Sequence, residues 1–170
     1  MTTTTSTLDR QAFTGTMARV PAPVTVTTTV DGTGRQWGFT ASAFTSLSLE
    51  PPLILVCVDR AASVHCAFAS AEHFLVNVLA KHQADVAARF AARGADRFTA
   101  GDTEPCELGL PGLPDAALRV ACRVHEVLDG GDHSILVGHV EATYTSARTP
   151  LLYCDRTFDY PARLDRVEHG

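Results

Sequence analysis

Changes in hydrophobic period divide this chain into many short strands and few helices. Val24 to Val30 interleaves valine with threonine, β-branched residues whose stiff side chains suit a pleated strand. Asp31-Gly32-Thr33-Gly34 is a turn signature, and an extended pattern resumes from Arg35 to Phe44. Residues 23–44 are therefore predicted to form a hairpin whose second arm carries the stretch from Gly38 to Ser46. After Pro51-Pro52 every position from Leu53 to Val58 is apolar, which predicts a strand covered on both faces in the middle of the fold. Ala61 to Ala69 reads as a helix, Glu72 to Leu79 as a strand, and Gln83 to Arg93 as a helix with Val86, Ala87 and Phe90 on its apolar side. Residues 94–114 show few periodic apolar positions and are predicted to be a long loop, a length often tied to function. From Ala116 to Leu128 the pattern alternates, with Leu118, Val120, Cys122 and Val124 on one face and Arg119, Arg123 and His125 on the other, as in a half-exposed strand. Asp129-Gly130-Gly131-Asp132 turns the chain, Ser134 to Thr145 returns as the hairpin partner, and Leu151 to Tyr153 is one more short strand before a polar tail. Upstream, Asp9 is placed to cap a short helix with Phe13, Met17 and Val20 at helical spacing, ended by Pro21 and Pro23.

These elements predict a mainly β fold with flanking helices, an antiparallel barrel. No repeat or linker divides the 170 residues, so a single domain over residues 11–165 is expected behind a flexible leader of residues 1–10. Charge narrows the function: 14 Lys and Arg against 19 Asp and Glu give a net charge of -5, and no basic cluster offers itself to a phosphate backbone, which argues against nucleic acid. The Thr-rich N-terminus lacks the apolar core of a secretory signal, and no apolar run approaches the roughly 20 residues of a membrane span, so a cytoplasmic protein is expected. Five cysteines without a C-x-x-C pair point to reduced, mostly buried thiols, and the histidines lack metal-ligand spacing, so no metal is expected.

Candidate chemistry concentrates between Gly38 and Arg60. Small residues allow a flat ligand close to the backbone, and the hydroxyls of Thr40, Ser42, Thr45 and Ser46 can meet the polar edge of a heterocycle. The competing explanation is a Ser/Thr-rich strand end with no ligand. Asp59, Arg60 and Ser63 lie between a strand and a helix, where a phosphate could bind or where Ser63 could simply cap the helix. His133 could contact a nucleotide or stand exposed on its turn, and Tyr153 could stack on a ligand or pack with a wet hydroxyl. The chain has no G-x-G-x-x-G fingerprint, so any nucleotide must be held outside the dinucleotide-binding fold.

Four motifs in their order, Gly38 to Pro52, Phe74 to Leu79, Gly131-Asp132-His133 and Pro150 to Tyr153, resemble the short-chain flavin reductases of two-component monooxygenases, with the FMN-binding split-barrel fold. The resemblance spans about Phe13 to Tyr160. It implies that Thr40, Ala41, Ser42, Thr45 and Ser46 surround the flavin ring and ribityl chain, with Cys57 and Val58 beside them. It assigns Asp59, Arg60 and Ser63 to the flavin phosphate, and Phe90, Ala91, Arg97 and Phe98 to a further wall. His133 and Tyr153 would receive the nicotinamide nucleotide, His133 by positioning it, with no side chain acting as acid or base. The implied activity is hydride transfer from NADH or NADPH to FMN or FAD, by a homodimer that passes reduced flavin to an oxygenase component. A flavin-binding or storage module of the same fold, and a small β-barrel interaction protein without flavin, are the alternatives.

Overall fold

The computed structural model describes residues 9–162. The elements run α1 (Arg10–Ala18), β1 (Ala22–Pro23), β2 (Thr25–Val30), β3 (Gln36–Ala41), β4 (Phe44–Ser48), β5 (Leu53–Asp59), α2 (His65–Ala69), β6 (His73–Val78) and α3 (Ala84–Ala91). They continue with β7 (Glu104–Pro105), a 3₁₀ turn at Glu107–Gly109, β8 (Pro111–Gly112), β9 (Leu118–Gly130), β10 (His133–Thr145), β11 (Leu152–Cys154) and β12 (Thr157–Asp159). Of the expected leader, residues 1–8 lie outside the described residues, Asp9 caps α1 by accepting from the Gln11 N–H at 3.2 Å, and Arg10 is already helical. On the apolar side of α1, Phe13 and Met17 are about half exposed.

Seven strands form one antiparallel sheet in the order β3-β2-β6-β9-β10-β5-β4. Its two edge strands, β3 and β4, are consecutive in the chain and separated only by Ser42 and Ala43. A two-residue link cannot cross an open seven-stranded sheet, so the sheet must curl until its edges meet. The result is the expected antiparallel barrel, split along the β3/β4 seam, where the Cys57 N–H donates to the Ala43 carbonyl at 3.1 Å. The single arm expected from Arg35 to Phe44 is therefore two strands, one on each side of the seam.

The core has two main parts. Phe39, Val56, Phe68, Phe74 and Leu136 fill the barrel, with the Phe39 and Phe68 rings edge to face at 4.8 Å. Val26, Leu79, Val86, Phe90 and Leu113 pack α3 onto the barrel wall. Buried Asn77 joins the layers by donating to the Val26 carbonyl and accepting from the Leu113 N–H, both at 2.9 Å, so neither backbone group is stranded in the apolar interior.

Two expectations about faces are corrected. β5 is not covered on both sides: Ile54, Val56 and Val58 are buried while Leu53, Leu55, Cys57 and Asp59 are half-buried, because β5 lines one wall of a closed barrel rather than the centre of a layered sheet. In β9 the predicted polar face begins with Arg119, which is instead buried and ion-paired to Glu107 at 2.7 Å, because the 104–112 excursion folds over that end of the sheet. That excursion, expected as plain loop, pairs β7 with β8. The helix expected from Ala61 shrinks to His65–Ala69, with turns before it.

Candidate functional site

The pleat of β5 decides which side chains reach the site. With Val56 and Val58 committed to the core, Cys57 and Asp59 point to the opposite face and line a cavity of about 610 Å³. Register places His133 directly across from Asp59 on the neighbouring strand, so its imidazole reaches the same cavity. The loop after β5 is latched in place: the Asp59 carboxylate accepts from the Ala61 N–H at 2.8 Å and the Arg60 N–H donates to the Asp132 carbonyl at 3.0 Å. His133 Nδ1 lies 2.7 Å from the Asp132 carboxylate, and this hydrogen bond holds the Asp132 carboxyl below its ordinary range.

The second wall is α3 and the loop after it. Thr40 donates its hydroxyl to the Ala87 carbonyl at 2.7 Å, tying the end of β3 to the helix. Gly38 is where the two approach most closely: a β-carbon there would stand 2.7 Å from the Phe90 ring and 3.2 Å from Phe98. Only a residue without a side chain allows that contact. Arg97 fixes the loop, donating from Nη1 to the Gly38 carbonyl and from Nη2 to the Ala92 carbonyl at 2.9 Å. Arg89 supports it from below, its Nη2 donating to both Asp102 carboxylate oxygens at 2.7 and 2.6 Å and its Nε to the Arg97 carbonyl at 3.1 Å.

Arg97 stands out electrostatically. It is half-buried, its Nε has no hydrogen-bond partner, and it has no carboxylate within ion-pairing distance among the described residues. Burial pulls its pKa down from the usual guanidinium value, since a desolvated cation without a counter-charge is disfavoured. Burial also pushes the Cys57 thiol up, so it stays protonated at neutral pH and is no nucleophile. Among the described residues, no group of three or more His, Cys, Asp or Glu could hold a metal ion.

Most of the residues singled out in the sequence converge. Thr40, Ala41, Ser42, Cys57, Asp59, Ser63 and His133 line one side of the cavity, and Phe90, Ala91 and Arg97 the other. Phe98 lines an adjoining cavity of about 640 Å³ that shares Ser63, Val64, Gly94 and Arg97 with the first. Tyr153 lines a third, of about 250 Å³, against Thr40, Ala41 and Ser42. Four residues lie elsewhere. Thr45 and Ser46 are exposed on β4, beyond the seam, and Val58 is fully buried in the barrel core. Arg60 turns its guanidinium to Asp129 at 3.1 Å, across the hairpin, and so does not supply the cation expected beside Ser63. Arg93 and Arg97 supply cations instead, from the opposite wall. Ala43, Ala61 and Ala62 also line the cavity and continue the run of small residues, a signal available in the sequence. Arg93 and Gly94 carried no such signal, because their place depends on how α3 docks.

The site can thus hold a flat polar ring against small side chains with an anionic tail toward guanidinium groups. The chain is 41% identical over 154 residues to NADH:riboflavin 5'-phosphate oxidoreductase from Streptomyces pristinaespiralis, covering 89% of this chain and 88% of that protein. It is 41% identical over 124 residues to the reductase component of the flavin-dependent trigonelline monooxygenase from Acinetobacter baylyi, which is 73% of this chain but only 40% of that longer protein. Its fold matches the Streptomyces globisporus NADH:FAD oxidoreductase SgcE6, solved with NAD and FAD fragments, with a TM-score of 0.85 and 34% identity over 91% of this chain and 94% of that one. The flavin reductase like domain matches residues 17–162, nearly everything the structure describes, and the chain belongs to that family.

Proposed function

We infer that this protein is an NAD(P)H-dependent flavin reductase that moves a hydride from a nicotinamide nucleotide to FMN or FAD and supplies the reduced flavin to a partner oxygenase. The observation that carries this reading is the convergence on one cavity of a small-residue strand end, Ala41 to Ala43, and an unpaired guanidinium, Arg97. The residues fit a flavin. About 610 Å³ is an ordinary size for a small-ligand site. Ala41, Ser42 and Ala43 leave a ring nothing bulky to meet, and the positive charge of Arg97, which meets no carboxylate among the described residues, suits a flavin phosphate.

When bound, the flavin supplies the redox chemistry, accepting the hydride from the nicotinamide. The chain's own residues position. Ser42 and the backbone around it hold the ring edge, Ser63 and Arg97 hold the phosphate end, and the loop pinned by Arg89 and Asp102 shields that side from water. His133, held by Asp132, orients the nucleotide, and Tyr153 reaches the same strand end from the C-terminal side. Holding two rings at reacting distance removes the entropic cost of their encounter, which accounts for catalysis without an acid or base.

One domain over residues 11–165 performs this role, as the family match over 17–162 supports. Exposed Leu47 and Leu49 beside the seam support pairing with a second copy. Among the described residues no helix is long and apolar enough to cross a membrane, and five free thiols suit the reducing cytoplasm where NADH is supplied. The test is steady-state oxidation of NADH and NADPH with FMN, FAD and riboflavin, beside a flavin-fluorescence titration. Turnover with saturable flavin binding is expected. Tight flavin binding with negligible turnover would make the protein a storage module, and no binding at all would remove flavin from its function.

A further inference from the structure

His133 opens β10 at the very end of its ladder, and little behind it holds that strand end. The tip residues Gly131 and Asp132 are exposed, and so are residues 126–130 of β9, which pair with the start of β10. A hairpin end with so few packed side chains opens easily. Two ties reach it from the loop after β5: the Arg60 N–H donates to the Asp132 carbonyl at 3.0 Å, and the Arg60 guanidinium meets Asp129 at 3.1 Å. The second is an exposed ion pair and contributes little.

A third tie is buried. Strand alternation turns Ser134 inward where His133 turns outward, placing it beside Val58 in the core with 4% of its surface exposed. A hydroxyl in that position costs stability unless it is hydrogen-bonded. Its partner among the described residues is His65, the first residue of α2, whose Nε2 lies 2.8 Å from the Ser134 Oγ. The α2 side is held independently of this bond. Val64 is buried, the His65 N–H donates to the Ala62 carbonyl at 3.0 Å, and the Ala62 N–H donates to the Asp59 carbonyl at 3.1 Å. Loss of the bond therefore frees the strand end rather than the loop.

We propose that His65 is a positioning residue for the nicotinamide nucleotide: by anchoring Ser134 in the core it fixes the roll of β10 and so aims the His133 imidazole into the flavin cavity. Adjacent residues of a strand point to opposite faces, so a fixed inward side chain sets the direction of the outward one. Asp132 cannot do this alone, because it is itself exposed and moves with the tip. The inference rests on the flavin reductase reading and adds to it a residue that is absent from the lining of the flavin cavity.

The experiment measures the KM for NADH and the Kd for FMN in wild type, His65→Leu, His65→Gln, Ser134→Ala, His133→Ala and the double variant His65→Leu with His133→Ala, each well below its melting temperature. His65→Leu and Ser134→Ala should each raise the KM for NADH by up to about fivefold, the change expected of His133→Ala, with FMN affinity within about twofold of wild type. Glutamine carries an amide at the reach of Nε2, so His65→Gln should restore most of the loss. With His133 already replaced, His65→Leu should change the KM no further, because the two act as one unit. A bond that serves stability alone lowers the melting temperature and leaves the KM of both His65→Leu and Ser134→Ala at the wild-type value, which overturns the proposal. So does an equal rise in KM in the His133→Ala background, or an equal loss of NADH and FMN. If His65→Leu does not fold, Ser134→Ala decides, since it removes the bond and keeps the histidine. Wild-type protein that binds no flavin at all is a different failure, which removes the reductase reading itself.

Discussion

Replacing Arg97 by alanine separates its two roles, because the ligand half of the argument can be read apart from the structural half. In the structure Arg97 donates to the carbonyls of Gly38 and Ala92. Ala92 is exposed and water can take the place of the lost donor, but Gly38 is buried against Phe90 and Phe98, and its carbonyl would be left unsatisfied. That costs about 1–3 kcal/mol of stability, measurable as a lower urea midpoint. Binding loses the charge-assisted bonds to the flavin phosphate, worth about 1.5–3 kcal/mol, which at about 1.4 kcal/mol per decade is a rise of about ten- to 150-fold in the Kd for FMN. Riboflavin has no phosphate and should lose less than threefold. Fluorescence titration of both flavins with Arg97→Ala, at a temperature well below its melting, gives the ratio directly. Arg97→Lys should recover part of the FMN affinity, since it keeps the charge but not the fork. If Arg97→Ala weakens FMN and riboflavin equally, the residue only supports the loop, and the phosphate must be sought elsewhere.

The other predictions touch different parts of the molecule. Gly38→Ala places a β-carbon 2.7 Å from the Phe90 ring, so it should cost about 1–3 kcal/mol in thermal or urea unfolding and loosen flavin binding, while a variant as stable as wild type would show the contact to be soft. His133→Ala should raise the KM for NADH about fivefold, the worth of about one hydrogen bond, with flavin Kd within twofold; unchanged nucleotide kinetics would remove His133 from the site. Glu107→Gln breaks a pair whose side chains are 16% and 8% exposed, leaving Arg119 without its counter-charge, and should lower stability at pH 7 by about 3–5 kcal/mol. The hydrogen bond from Arg119 holds the Glu107 carboxyl below its ordinary range, so the pair's contribution is present above about pH 4.3 and is lost as pH falls through the lower folded value. Unfolding curves of wild type and Glu107→Gln should therefore converge in acid, and parallel curves would refute the assignment.

What the sequence determined by itself was the local grammar. The Thr-Val run of β2, the Asp-Gly turns, the capping Asp9, the apolar side of α3 and the small-residue motif at Gly38 to Ser46 are each specified by neighbours within a few residues, and they formed as expected apart from the break at Ser42. The motifs also named the family. What only the tertiary structure decided were directions and distant partners. Strand alternation says that Cys57 and Val58 point opposite ways but not which of them meets the core, and closure of the barrel sent Val58 inward and Cys57 into the site. The charge pattern shows that Arg60, Arg97 and Arg119 are cations but not what each will meet. Hairpin register brought Asp129 to Arg60, the 104–112 excursion brought Glu107 to Arg119, and α3 docked on Gly38 left Arg97 at the junction of two cavities with no carboxylate partner among the described residues. Those outcomes depend on contacts between residues tens of positions apart, whose energies exist only once the sheet has closed.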